Sequence, residues 1–434
     1  VDGRPRSVLY IEGEPRWEFK FIRRAIDEDK SLKLASILRT TQNKIYRQGV
    51  ESENELAQGF PTKPEELFAF QGLIIGSVEA NWFTNSQQEL IKEFADRRGG
   101  GVLFLGGRFG LSDGGYNQPP FTEMLPVDLP SGKNTYHPQS AATVELTQAG
   151  RDSLLTRLID NPDANVERWK KLPYLMNWQD PGSPKKGALT LVEMSPGGST
   201  RKLPALITEN YGHGRTAVFA TSGSWRWQML QPLADQTHEI FWQQMLRWLV
   251  SGSPGRLVLT TSKSLLADQQ RVHLRAEVRD KLYETASDAQ VEAHILGPDG
   301  LSERVALRPD PRERGVYTAD WDAPKPGSYL TEAIARRGDE ELGRDVLTFR
   351  REDGVAENFH TEQNRELLEK LSSQTGGRYY RPGEVKQLAN EIEYSESGIT
   401  VRETRDLWNM PVVFLLALAL RASEWVLRRR RGVI

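Results

Sequence analysis

Apolar and polar positions follow two different rhythms along this chain, and the change falls near residue 254. Residues 7–12 (SVLYIE) are a short apolar run of the kind that makes a buried strand. Gly13-Glu14-Pro15 then leads into an amphipathic helix from about Trp17 to Asp27. Leu32 to Leu38 and Gly72 to Gly76 repeat the strand signal. Thr84, with Gln87 three positions on, predicts a capped helix running to about Arg98. Gly99-Gly100-Gly101 stops it, and the strand Val102–Leu105 follows, ending at Gly106-Gly107. Strands alternating with helices on this spacing predict an α/β domain with a doubly wound parallel sheet. Residues 111–200 carry turns, a helix near Ser153–Asp160 and the strand Ala188–Val192. Leu203–Thr208 and Thr216–Thr221 are two more strands, joined by the turn 210–214. A long helix from about His238 to Val250 places Ile240, Phe241, Met245, Trp248 and Leu249 at helical spacing. Ser251-Gly252-Ser253-Pro254-Gly255 ends it and closes a first domain at 1–252.

Beyond that point the period is two. Val272–Val278, Ala289–Leu296, Gly315–Trp321 and Gly327–Ala333 alternate apolar and polar residues, with Pro/Gly turns every ten residues or so. This predicts an immunoglobulin-like β-sandwich over 256–350. A small α/β segment is expected over 355–406. It holds helices at Asn364–Ser372 and Val385–Ile392 and a turn and strand at Gly376–Tyr380. Leu407–Leu427 is mostly apolar and closes on Arg428–Arg431. A helix over 407–427 would reach roughly 31 Å, the thickness of a bilayer core. Its uninterrupted apolar run is Met410–Leu420, Arg421 and Glu424 break the remainder, and Trp408 and Trp425 flank it. The expectation is a transmembrane helix at 407–427, against the alternative of an amphipathic terminal helix. The Arg cluster then places the basic tail, 428–434, in the cytoplasm and residues 1–406 in the periplasm or outside the cell. That makes the chain an inner (cytoplasmic) membrane protein.

Composition sharpens this picture. At 434 residues, 38% hydrophobic and 27% charged, the chain is long enough for two or three cores. The net charge is −2, but residues 407–434 hold five Arg and one Glu, so the basic excess sits at one end. A nucleic-acid partner is not expected, because phosphate binding needs a basic surface. There is no cysteine, which excludes disulfides and thiolate chemistry. The six His, at 137, 213, 238, 273, 294 and 360, show no metal-binding spacing, and no cofactor is expected. The first residues, Val1 to Arg6, carry no secretory-signal pattern; targeting information is expected upstream or in a membrane segment.

A set of short motifs runs through the chain in order. Ser7-Val8-Leu9-Tyr10-Ile11-Glu12-Gly13-Glu14-Pro15-Arg16-Trp17-Glu18 comes first, then Gly99 to Gly107 and Gly114-Gly115-Tyr116. Ser224-Trp225-Arg226-Trp227, Phe241-Trp242, Arg247-Trp248 and Thr375-Gly376-Gly377-Arg378-Tyr379 follow, and Leu407-Trp408 leads to Glu424-Trp425 and the Arg run. Together they resemble bacterial membrane proteins with a class I glutamine-amidotransferase-like domain, a group often linked to von Willebrand A domains and to MoxR-type ATPases. The resemblance implies a flavodoxin-like α/β fold. It also implies other membrane or periplasmic proteins as partners.

Active amidotransferases place a Cys on a tight strand-to-helix elbow, served by a His from a later strand. Here the elbow reads Gly106-Gly107-Arg108-Phe109-Gly110, and Ser224-Trp225-Arg226-Trp227 stands near the expected His. Neither offers the required group, so no glutamine hydrolysis is expected. The candidate crevice is therefore Gly106, Gly107, Arg108, Phe109, Ser112, Asp113, His213, Trp225, Arg226 and Trp227. Ser112, Asp113 and His213 form a Ser/His/Asp set on paper; the alternative is turn residues. The Gly-rich loop 106–115 either offers backbone amides to an anion or simply turns tightly. Arg108 either holds a carboxylate, from Asp113 or a partner, or is solvated. The tryptophans at 225, 227, 242 and 248 are either a ligand platform or core. The expected function is a membrane-anchored, non-catalytic binding or scaffolding protein. The alternative is a hydrolase or carbohydrate-active enzyme using the crevice near 106–115.

Overall fold

A computed structural model describes residues 5–41, 44–132, 134–197, 201–267, 271–300, 302–352, 363–384 and 410–432. The chain divides into two units, 1–359 and 360–434.

The first sheet is built from β1 (Arg6–Glu12), β2 (Leu32–Thr41), β3 (Lys44–Gln48), β4 (Gly72–Ile75) and β5 (Gly101–Leu105). The short strands β6 (Val127–Asp128) and β7 (Tyr136–His137) precede β8 (Ala142–Leu146). Then come β9 (Trp178–Gln179), β10 (Ser183–Pro184), β11 (Leu189–Pro196), β12 (Leu203–Tyr211) and β13 (Gly214–Phe219). The nine-stranded order is β3-β2-β1-β4-β5-β13-β12-β11-β8. Strands β2, β1, β4, β5 and β13 run parallel, whereas β3, β12, β11 and β8 join by antiparallel pairing.

This corrects the expected doubly wound parallel, flavodoxin-like sheet: the sheet is mixed. The reason is local. β12 ends at Tyr211 and β13 begins at Gly214, and so short a turn can only join antiparallel neighbours; a parallel pair needs a crossover of a dozen residues or more. The parallel centre is buried on both faces, with Leu73, Ile74, Val102, Leu103, Ala217 and Val218 all sealed from water. The helices Trp17–Asp27 and Thr237–Ser251 pack on each other, and Asn85–Asp96 packs against β5 and β13. Thr84 and Gln87 form the capping box of that last helix. The helix expected at Ser153–Asp160 is instead a 3-10 turn, Leu154–Thr156, between the short helices Gln148–Asp152 and Pro162–Lys170. Ser153 caps the turn, and Asn161-Pro162 starts a new helix, so the run is cut twice.

The second sheet holds β14 (Leu257–Thr261), β15 (Leu265–Ala267), β16 (Arg271–Val278), β17 (Gln290–Leu296), β18 (Ser302–Pro309), β19 (Val316–Asp322), β20 (Gly327–Arg337) and β21 (Glu340–Glu352). Its order is β14-β16-β19-β18-β17-β20-β21-β15. The expected immunoglobulin-like sandwich has two separate sheets; the structure has one that curls over itself. β18 is the hinge, since Ser302–Leu307 pairs with β17 while Arg308 and Pro309 pair with β19. Leu274, Ala276, Ala293, Trp321, Tyr329 and Phe349 fill the inside of the curl.

The two sheets are joined through Arg98, which is 1% exposed. Its guanidinium donates to the carbonyls of Phe68 and Phe70, just before β4, and of Pro254, between the helix Thr237–Ser251 and β14. It lies 4.4 Å from the ring centroid of Tyr283 in the β16–β17 connection.

In the second unit a helix spans Arg365–Gln374, capped by Asn364. Residues 377–380 are not a strand. The expected helix Val385–Ile392 lies outside the described residues, as do 407–409 and 433–434. A final helix spans Pro411–Arg430. Among the described residues, no helix is long and apolar enough to cross a membrane. Only positions 411–420 are continuously apolar, roughly 15 Å of helix against a core of about 30 Å. The following ten positions carry Arg421, Glu424, Arg428, Arg429 and Arg430, and Glu424 pairs with both Arg421 and Arg428. This finding overturns the transmembrane helix at 407–427. It also removes the ground for the inner-membrane location and for placing residues 1–406 in the periplasm.

Candidate binding crevice

From β1 the chain moves to β2 on one side, and β4 lies on the other, so the connection reverses direction between β1 and β4. Open sheets with parallel strands form a crevice beyond the C-terminal ends at such a point. Three strand ends are tied together beneath it. Glu12, at the end of β1, is fully buried. Its carboxylate accepts from the Tyr10 hydroxyl at 2.8 Å, the Ser77 N–H at 3.0 Å, the Gly13 N–H at 3.1 Å and Arg16 Nη2 at 2.7 Å. Arg16 also donates through Nη1 to the Gly106 carbonyl beyond β5, at 3.1 Å. Burial, then the nearby Glu12 charge, pushes the Tyr10 phenol well above its ordinary value. A buried ion pair of this kind holds only when its other polar atoms find partners; here both Glu12 oxygens accept further bonds and each Arg16 nitrogen has an acceptor.

The packing leaves no room for side chains at two glycines. A Cβ on Gly13 would lie 1.9 Å from the Ser77 carbonyl oxygen, and one on Gly107 would lie 2.7 Å from Arg16 Nη1. Ser77 Oγ links the elbow loop to the turn after β1. It donates to Glu14 at 2.7 Å and accepts from the Phe109 N–H at 3.0 Å. Gln179, also fully buried, holds the other side of the elbow through Gly107 N–H at 3.2 Å and the Gly110 carbonyl at 2.9 Å.

Above this base lies an open crevice of about 720 Å³. Its floor is Glu14, Pro15 and Arg16. One wall is Trp17 and Lys20 from the first helix. Tyr136, Pro138, Asn177, Ser222 and Trp225 form the other, and Arg108 stands at the rim. Trp17 is 56% exposed. Its ring centroid is 6.2 Å from that of Trp225, at 36° between planes, so the two indoles make a bent aromatic surface. Lys20 Nζ lies 5.3 Å from the Trp17 centroid, and the Arg226 guanidinium lies 4.3 Å from that of Trp225. Arg226 donates to Asn177 Oδ1 at 3.1 Å, and Asn177 Nδ2 donates to the Tyr136 hydroxyl at 2.8 Å. Asn177 itself has φ of 57°, a left-handed conformation that Asn tolerates better than most residues.

Trp225 is positioned from below by Glu18. That carboxylate, fully buried, accepts from the Ser224 hydroxyl and from the Trp225 N–H, while Trp242 Nε1 donates to Ser224 Oγ. Burial raises the Glu18 carboxyl to about 7, only partly countered by the Ser224 and Trp225 hydrogen bonds.

The structure therefore gathers only part of the sequence-predicted set. Gly106, Gly107, Arg108, Trp225 and Arg226 stand at the crevice or its supports. Phe109 lies beside Arg108, its ring centroid 5.1 Å from the guanidinium. Asp113 does not pair with Arg108: its carboxylate accepts the backbone N–H groups of Asn134, Thr135 and Tyr136, and so shapes the loop that delivers Tyr136. Ser112 is buried, and its hydroxyl has no partner among the described residues. His213 precedes β13 and its Nδ1 lies 2.8 Å from the Asp96 carbonyl. Since β13 runs parallel to β5, His213 sits at the opposite end of the sheet from the elbow, roughly 20–25 Å away. The Ser/His/Asp set is thus not assembled. Trp227 is core, its Nε1 donating to the Pro173 carbonyl. Sequence reasoning missed Glu14, Trp17, Lys20, Tyr136, Asn177 and Ser222. The first three sit just past the end of β1, and that position in an α/β sheet was the available signal. Among the described residues, no cluster of His, Asp and Glu could hold a metal ion.

No protein-family description and no curated protein matches the sequence. Solved structures align to about a quarter of the chain. The Lin-41 filamin domain is 18% identical, covers 23% of this chain and 93% of its own, and has a TM-score of 0.19. CopC from Methylosinus trichosporium is 18% identical over 23% of this chain and 95% of its own, with a TM-score of 0.18. A superoxide reductase from Ignicoccus hospitalis is 17% identical over 22% of this chain and 80% of its own, with a TM-score of 0.17. None of the three is an amidotransferase-like protein, and likeness at these scores carries no argument about function.

Proposed function

We propose that this chain is a non-catalytic binding module whose first domain takes its ligand in the crevice beyond β1, β4 and β5. One observation carries the reading. The strong acids and bases at the base of the crevice are committed to holding the fold, while the groups facing the open volume are suited to contact. Glu12 and Arg16 neutralise each other, and Glu18 is sealed beneath Trp225. Trp17, Lys20 and Arg108 stand exposed around the opening. The resemblance to amidotransferases would put Arg108 or Phe109 where a nucleophile is needed; a guanidinium stays protonated and cannot attack a carbonyl, and a phenyl ring has no nucleophilic atom.

The test pairs an activity assay with a binding screen. Wild-type protein should release no ammonia from glutamine above a buffer blank, and should not cleave nitrophenyl esters or glycosides. Small ligands that raise the melting temperature or quench the tryptophan fluorescence of wild type should lose that effect in Trp17→Ala and Arg108→Ala. Turnover in any of the assays, abolished by a crevice substitution, would establish the hydrolase or carbohydrate-active alternative.

A further inference from the structure

We infer that the crevice takes an acidic saccharide, a chain of sugar rings bearing carboxylates; this deepens the reading of the crevice as a binding site. Three features of the lining converge on that chemistry.

The first is the aromatic surface. Trp17 leaves 56% of its area in water although an indole is worth burying, and Trp225 continues the surface at 6.2 Å. A bent pair of indoles offers flat apolar patches to the C–H faces of successive pyranose rings.

The second is charge. Lys20 beside Trp17 and Arg108 on the rim are both exposed, and neither makes an ion pair among the described residues. The Arg16 charge is cancelled by Glu12, which leaves Glu14 as the one other carboxylate facing the opening. Two cations against one acid give the mouth a positive excess, and the fork of Arg108 matches a carboxylate in shape.

The third is the mixture of donors and acceptors. Tyr136 accepts from Asn177, so its own hydroxyl proton is available to donate. Glu14 has acceptor capacity beyond its bond from Ser77, and Ser222, buried and donating its hydroxyl proton to the Asn177 carbonyl at 3.4 Å, adds an acceptor. Groups that both give and accept suit sugar hydroxyls. A peptide adding itself as a further strand would need an unpaired main-chain edge, and the strands beneath the crevice, β1, β4 and β5, are each paired on both sides; the sheet edges are β3 and β8. The volume, about 720 Å³, is within the range of sites for ligands of this size.

The test is isothermal titration of the full chain with three probes: tetragalacturonate, neutral chitotetraose, and a blocked tetraglutamate peptide. Tetragalacturonate should bind saturably and chitotetraose at least tenfold more weakly. Trp17→Ala should weaken tetragalacturonate at least tenfold. The double substitution Lys20→Gln with Arg108→Gln should do the same while leaving chitotetraose unchanged. All three positions are exposed, so circular dichroism should match wild type in each variant. Saturable binding of tetraglutamate with none of tetragalacturonate, lost in the Arg108 variants, would overturn the saccharide and keep the crevice as a site. Tetragalacturonate binding that all three substitutions leave unchanged would overturn the crevice as well. No binding of tetragalacturonate in the presence of hits from the small-ligand screen would overturn the saccharide alone.

Discussion

Replacing Arg98 by Ala should loosen the joint between the two sheets. The Arg98 guanidinium is 1% exposed, and Nε donates to the Phe70 carbonyl at 2.9 Å and the Phe68 carbonyl at 3.1 Å. Nη1 donates to the Pro254 carbonyl at 3.0 Å. Among the described residues no carboxylate pairs with it, and Tyr283 covers one face at 4.4 Å. Burial pulls its pKa down to about 10, so it stays charged at neutral pH. Truncation to Ala strands the Phe68 and Phe70 carbonyls, at roughly 1–3 kcal/mol each, leaves the Pro254 carbonyl with only its 3.3 Å bond from the Tyr283 hydroxyl, and removes a cation–π contact of about 1–2 kcal/mol. Recovery of the guanidinium's own hydration offsets several kcal/mol of that total. The expected net loss is about 3–4 kcal/mol, read by urea unfolding with tryptophan fluorescence and far-ultraviolet circular dichroism in parallel. Because Pro254 and Tyr283 belong to the joint, the two signals, superimposable in wild type, should separate in Arg98→Ala. Arg98→Lys reaches one carbonyl at a time and should lose roughly 2 kcal/mol. An Arg98→Ala protein within about 1 kcal/mol of wild type, or a Lys variant equal to wild type, would refute the view that a three-way fork holds the joint.

Two buried titratable groups should make opposite contributions to pH dependence. Glu18, raised by burial to about 7 from 4.5, gains a proton on folding, so its contribution is full below about pH 4.5 and is lost as pH rises through 7. His238 is lowered by burial, and secondarily by Arg24, from 6.5 to about 3, and both its ring nitrogens lack partners among the described residues. Its contribution is full above pH 6.5 and is lost as pH falls towards 3. Between pH 4.5 and 6.5 the two slopes oppose. Glu18→Gln should leave stability rising with pH there, and His238→Phe should leave it falling, each by up to roughly 1.4 kcal/mol per pH unit. Identical slopes in wild type and both variants, by urea unfolding, would count against both assignments. Gly13→Ala should destabilise by about 1–3 kcal/mol, because its Cβ meets the Ser77 carbonyl oxygen at 1.9 Å and β1 and β4 would have to part; an unchanged melting curve would show that the strand ends yield freely.

Local pattern carried much of what this chain forms and little of what it assembles. The apolar run at 7–12, the helical spacing from Trp17 and the Thr84/Gln87 pair each announce an element that the structure contains, because strand period, helix period and cap chemistry are written in neighbouring residues. The same pattern is silent on which strands become neighbours. The hairpin from Tyr211 to Gly214 adds antiparallel strands to a parallel centre, and that choice decides where His213 lies: at the end of β13 away from Ser112. The terminal helix reads as a span by total apolarity, yet the charges from Arg421 onward halve its continuous apolar length. The crevice is the least legible part. Glu12, Glu18 and Gln179 look like ordinary polar positions, and only packing buries them and turns them into supports. Trp17 looks like a core residue, and only packing leaves it in water. The physical reason is the same throughout. Periodicity records which face of an element is apolar, whereas burial and hydrogen-bond partners depend on segments a hundred or more residues apart, as Ser224 and Glu18 are, and only the whole fold brings those together.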